Sequence, residues 1–183
     1  MAPILDKQML EFVSRSPDQT QRLGARLGAL LQGGDVICLE GPLGSGKTCL
    51  AQGVGRGWGV GQTLISPTFV LVREYVRPED ADKPHPRDGD TRSMNLYHVD
   101  LYRISGADEA SGLGIDEFLG DEHAVFVIEW AERARSLIPP EHLWIRLSFT
   151  DRADQTRRAL YFTARGERHT TLLREFRRAA FGA

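Results

Sequence analysis

The chain has 183 residues, of which 41 % are hydrophobic and 26 % charged, and its formal net charge is −2. Those proportions exclude a wholly disordered, collagen-like or fibrous chain, and the length predicts one domain over 1–183. The mild acidity excludes a strongly basic, dedicated nucleic-acid binder. In chain order, the first predicted element is a helix over 16–32. Ser16 suits its N-cap, Pro17 its first helical position, and Gln19 completes a capping-box spacing. Leu23, Leu27, Leu30 and Leu31 fall on one face, and Gly33-Gly34 stops the helix. VICLE at 36–40 is a short apolar run bounded by glycines, which predicts a buried strand. A helix follows from Thr48 to Arg56, ending by Trp58, although Gly53, Gly55 and Gly57 each weaken it by about 1 kcal/mol relative to Ala.

Two further strands are predicted at 69–76 and 95–102. Between them, 77–93 carries nine charges and three prolines in 17 residues, which predicts a solvated, mobile hairpin connection. AVFVIEW at 124–130 reads as a second buried strand. Residues 144–150 and 157–164 read as a closing antiparallel pair, and 168–181 as a final helix with Leu172, Leu173, Phe176 and Ala180 inward. The alternation predicts an α/β fold, a parallel core with antiparallel additions. No stretch approaches about 18 uninterrupted apolar residues, so no helical membrane span is expected. The N-terminal segment carries Asp6 and Glu11 without a long apolar run, so it does not read as a secretory signal. Cys38 and Cys49 form no CxxC pair and cannot build a disulfide framework, which suits a reducing cytoplasm.

GPLGSGKT at 41–48 fits the phosphate-loop pattern G-x-x-x-x-G-K-[ST], and it lies between a buried strand and a helix start. Gly44 and Gly46 let successive backbone N–H groups converge on phosphate oxygens, and the helix N-terminus aims its partial positive charge at the same anion. Only three of the 23 basic residues are Lys, so a Lys inside this loop stands out against the composition. Lys47 is expected to reach the β- and γ-phosphates, and Thr48 to offer its hydroxyl to Mg²⁺. The guanine-reading NKxD, a DxxG and an LSGGQ signature are all absent from the sequence, which favours ATP. The apolar run AVFVI ends in Glu129, the leading second ligand of the ion. Asp100 is the other carboxylate. An extended 95–102 segment places Leu96, His98, Asp100 and Tyr102 on one face. One of the two carboxylates is expected to orient the attacking water. In ISPTF at 65–69, Pro67 restricts Ser66 to an extended backbone and Thr68 is placed to approach the metal.

GPLGSGKT, ISPTF, LYHVDLYRI and VIEW, in that order and spacing, resemble the TsaE (YjeE) family from about Thr20 to Arg157. The resemblance implies a P-loop NTPase-like three-layer fold with a mixed sheet. It implies a weak ATPase, stimulated by partners and using ATP and Mg²⁺. It also implies a role with the TsaD–TsaB complex in forming threonylcarbamoyladenosine next to the anticodon, with tRNA met indirectly through that complex. Carried over by position, Gly44, Ser45, Gly46, Lys47, Thr48 and Cys49 contact ATP, and Thr48 and Glu129 hold the ion. Lys47, Asp100 and Glu129 are then the residues needed for activity. Arg157, chosen over Arg158, matches a nucleotide-contacting Arg, and Ser16 and Pro17 border the adenine. The 77–93 insertion is longer than the family pattern, and the Arg-rich end, with eight Arg against three acids from Arg152 onward, is poorly matched. Two other classes share the loop. A small-molecule kinase would use Arg87 and Arg92 as lid residues, and a nucleotide-dependent switch would show negligible hydrolysis.

Overall fold

A computed structural model describes residues 8–67, 71–78, 95–151 and 156–182, including every side chain within them except those of Asp116 and Phe118. Its strands are β1 (Met9–Ser14), β2 (Val36–Glu40), β3 (Val72–Val76), β4 (Asn95–Asp100), β5 (Ala124–Glu129), β6 (His142–Phe149) and β7 (Arg158–Arg165). Its α-helices are α1 (Pro17–Gly28), α2 (Lys47–Trp58), α3 (Ala107–Gly112), α4 (Ile115–Phe118) and α5 (Glu167–Phe181), with a 3-10 segment at Ala131–Leu137. The strands form one mixed sheet in the order β1-β7-β6-β2-β5-β4-β3. β6, β2, β5 and β4 run parallel, while β1, β7 and β3 each join an antiparallel pair.

The apolar runs explain the centre of this sheet. Every residue of β5 is buried, as are the first four of β2, because helices cover both faces. On one face Leu27, Val54, Trp58 and Phe176 pack against Ile37, Val127 and Phe162. On the other, Ala110, Ile115 and Ile138 pack against Cys38, Phe126 and Ile128. This is the expected three-layer α/β architecture, with a parallel core and antiparallel additions.

Local chemistry sets the helix ends. Ser16 Oγ accepts the Gln19 N–H at 3.2 Å, while Gln19 Oε1 accepts the Arg15 N–H at 2.8 Å. α1 then stops at Gly28, four residues short of the expected end. It lies in backbone contact with α2: a Cβ on Gly28 would fall 2.1 Å from the Val54 carbonyl oxygen, and one on Gly57 2.0 Å from that of Ala25. The glycines that weaken α2 as an isolated helix are what allow this approach. At the sheet's edge, β1 is held by the end of α5. The Phe12 and Phe181 rings lie 5.2 Å apart, and Arg177 donates to the Met9 carbonyl at 2.8 Å.

The elements depart from expectation in two ways. β1, α3 and α4 were not predicted. The strand predicted over 95–102 ends at Asp100, because Asp100 Oδ1 accepts the Tyr102 N–H at 2.9 Å and turns the chain away. Tyr102 therefore leaves the face shared by Leu96, His98 and Asp100. Thr68, Phe69, Val70, Arg87 and Arg92 lie outside the described residues, as does most of the 77–93 connection. Among the described residues, no helix is long and apolar enough to cross a membrane.

Candidate active site

The phosphate loop leaves β2 at its carboxyl end and runs straight into α2. Three of its residues have a positive φ that a side chain at Cβ would disfavour: Gly41 at +149°, Gly44 at +75° and Gly46 at +99°. Gly46 is the N-cap of α2 and has no side chain to cap the helix, so the first N–H groups of α2 stay directed at the loop's concavity. Lys47 is buried at the helix start. Its Nζ donates to the carbonyls of Gly41 at 2.7 Å and Pro42 at 3.0 Å, and lies 3.7 Å from the centroid of the Trp130 ring. Burial lowers the pKa of Lys47, opposed by the carboxylates of Glu129, Glu132 and Asp100 around it.

The two candidate carboxylates come from neighbouring parallel strands, where Asp100 and Glu129 are register partners. Both are buried, at 2 % exposure, so each must be held by hydrogen bonds. Glu129 Oε2 accepts the Thr48 hydroxyl at 3.0 Å, and its Oε1 lies 2.9 Å from His98 Nε2. Asp100 accepts from the Tyr102 backbone and from the Ser66 hydroxyl. Lys47, Thr48, Asp100 and Glu129 line one cavity of about 300 Å³, joined by Gly44, Gly46, Cys49, Ser66, Tyr102, Trp130 and Leu43. Thr48 and Glu129 are thus an all-oxygen pair of the kind Mg²⁺ takes. Trp130, directly after β5, has φ +58°, a costly backbone for a bulky residue. That turn sets its indole over Lys47 and 4.9 Å from the Tyr102 ring.

The remaining predicted residues divide. Cys49 donates its thiol proton to the Pro17 carbonyl at 3.3 Å, which brings the start of α1, with Ser16 at its cap, beside the first turn of α2. Burial raises the Cys49 pKa, keeping the thiol a donor. Ser45 is fully buried with its Oγ unpartnered, and it does not line the cavity. Arg157 is exposed, whereas Arg158 reaches the loop from behind. Arg158 Nε donates to the Ser45 carbonyl at 3.0 Å and Nη2 to that of Gly44 at 3.1 Å, with the guanidinium 4.3 Å from the Phe149 ring centroid. The sequence reading also missed the Trp130 cover and the pairing of His98 with Glu129 rather than with Asp100. The second of these had a signal, since residues 98 and 129 lie on one face of adjacent strands once the register is known.

With this geometry in hand, the comparison with known proteins is direct. Residues 14–159 match the family model described as threonylcarbamoyl adenosine biosynthesis protein TsaE. The chain belongs to the TsaE family. The tRNA threonylcarbamoyladenosine biosynthesis protein TsaE of Bacillus subtilis (strain 168) is 33 % identical over 171 residues, 93 % of this chain and 96 % of that protein. Its namesake from Streptomyces coelicolor is 40 % identical over 154 residues, covering 82 % and 94 %. The crystal structure of Bacillus subtilis YdiB superposes with a TM-score of 0.69 at 30 % identity, over 93 % of this chain and 95 % of that one. The TsaE match runs from the last residue of β1 to the second of β7, so it takes in the phosphate loop, both carboxylates and Arg158, and leaves out α5.

Proposed function

We propose that this TsaE protein is a Mg²⁺-dependent ATPase subunit, weak alone and stimulated by partners. It is required for threonylcarbamoyladenosine formation in tRNA next to the anticodon and acts with the TsaD–TsaB complex in the cytoplasm. The family assignment supports the pathway. One observation above all supports the chemistry: the Thr48 hydroxyl and the Glu129 carboxylate meet at 3.0 Å inside the cavity that Lys47 lines. A bound magnesium ion would supply charge neutralisation at the phosphates, with Thr48 and Glu129 as its protein ligands. The loop amides and the α2 N-terminus bind the phosphates through main-chain N–H groups, and Lys47 brings its ammonium to the terminal ones. Ser16 and Pro17 border the adenine. Asp100, its orientation fixed by Ser66 and the Tyr102 backbone, positions the attacking water.

ATP turnover with and without TsaD–TsaB, alongside tRNA modification in the reconstituted system, tests this. Lys47→Ala and Glu129→Ala are each expected to reduce turnover by about a hundredfold or more, in line with the loss of a preorganised transition-state contact. Wild-type turnover in both variants would overturn the reading.

A further inference from the structure

His98 is a buried polar residue that the steps above do not use. It sits in β4 between Leu96 and Asp100, and its register partner on β5 is the apolar Val127. Leu96 and Val127 belong to the core beneath α2, where an imidazole costs free energy unless hydrogen-bonded. His98 is fully buried, yet only one of its ring nitrogens has a partner: Nε2 lies 2.9 Å from Glu129 Oε1, and Nδ1 meets no hydrogen-bonding atom. An ionised carboxylate only accepts, so the proton of this bond sits on Nε2. Glu129 is therefore gripped on one oxygen by His98, while its other oxygen faces the Thr48 hydroxyl. Asp100 is held by a different set, Ser66 and the Tyr102 backbone, so the two carboxylates are oriented independently.

We propose that His98 is a positioning residue: it fixes the rotamer of Glu129 so that Oε2 is presented beside Thr48 to the divalent cation. This rests on the reading of Thr48 and Glu129 as the ligands of that ion. A fixed outer partner of this kind sharpens the affinity of a ligand for its metal without touching the nucleotide.

The test is binding of a fluorescent ATP analogue by the full chain in EDTA and across a Mg²⁺ titration. For His98→Ala, affinity in EDTA is expected to match wild type. The Mg²⁺ concentration at which binding tightens half-maximally should rise about ten- to a hundredfold. His98→Gln, whose amide N–H reaches the place of Nε2, is expected to restore most of the Mg²⁺ response. His98→Asn, whose amide is too short, should not restore it, and this pair carries the test should the Ala variant not fold. An unchanged Mg²⁺ response in His98→Ala, an equal loss with and without Mg²⁺, or equal behaviour of the Gln and Asn variants would overturn the assignment. Lys47→Ala separates the two readings. Its loss of binding in EDTA upholds the nucleotide site, so a failure confined to the His98 variants falls on His98 alone. Wild-type binding by Lys47→Ala would overturn the nucleotide site and this assignment with it.

Discussion

Arg157 and Arg158 are adjacent and identical in chemistry, yet the first is exposed and the second bonds the phosphate loop. Arg157 lies just before β7 and Arg158 is its first residue, and a run of two arginines hides which of them the strand holds against the loop. Only the register decides it, by pairing Arg158 with Phe149 on one side and Ser14 on the other. Of its two bonds to the loop, the one to the part-buried Ser45 carbonyl matters most, since a hydrogen bond from a charged donor contributes about 1.5–3 kcal/mol there, while the bond to the Gly44 carbonyl is exposed. Arg158→Ala is therefore expected to weaken ATP binding by roughly tenfold or more, as the carbonyls of Gly44 and Ser45 lose their donor. Arg157→Ala should stay within about 0.5 kcal/mol of wild type. Isothermal titration of both variants with ATP reads the difference. The site residues legible in the sequence were those whose chemistry is local, Gly44 to Thr48, or which end an apolar run, Glu129. Those that depend on contacts between distant elements, such as Arg158 on the loop and Trp130 over Lys47, leave no trace in spacing along the chain, and the grip of His98 on Glu129 shows only once the strand register is known.

The same division holds for elements. β2 was read to the residue because four apolar positions are closed off by glycines, and the start of α1 was legible because its cap is spelled out by Ser16, Pro17 and Gln19, although its end falls four residues early. β1 escaped because Met9 and Val13, exposed on its outer face, break the alternation set up by Leu10, Glu11 and Phe12. α3 and α4, of six and four residues, are too short to show a helical period. The glycines of α2 looked like a defect and are a packing requirement. Gly57→Ala gains helix propensity but drives a methyl into the Ala25 carbonyl, and a net loss of about 1–3 kcal/mol is expected. Gly112→Ala, at the end of α3 with nothing within 4 Å of the new methyl, should instead stabilise by about 0.4–1 kcal/mol. Urea denaturation of the two variants distinguishes a shared helix surface from an exposed one.

Across the whole molecule, the end of the sheet remote from the phosphate loop is closed by charge. Arg168 clamps the buried Asp35 with bonds of 3.0 and 2.6 Å, and the Val36 N–H donates to His169 Nε2 at 3.3 Å, so α5 is fastened to the start of β2. Burial lowers the pKa of His169 below its ordinary 6.5, with Asp35 only partly opposing. The unfolded chain therefore binds this proton more readily than the folded one. The stability it contributes is fully present above about pH 6.5 and is lost as the pH falls through the folded-state value. Thermal melts between pH 8 and pH 5 are expected to show a steeper acid decline for wild type than for His169→Gln, which does not titrate. Equal slopes would remove His169 from the account.

The fastening of β1 by Phe181 and Arg177 reaches further than the sheet edge. The last residue of that strand, Ser14, shares its hydroxyl with Thr20 and the Ser16 carbonyl, and the neighbouring Pro17 receives the thiol of Cys49. A short relay of contacts thus ties α5 to the start of α1 and to Cys49 in the first turn of α2. A pull on the last turns of α5 would therefore be felt, through β1 and the cap of α1, at the first turn of α2.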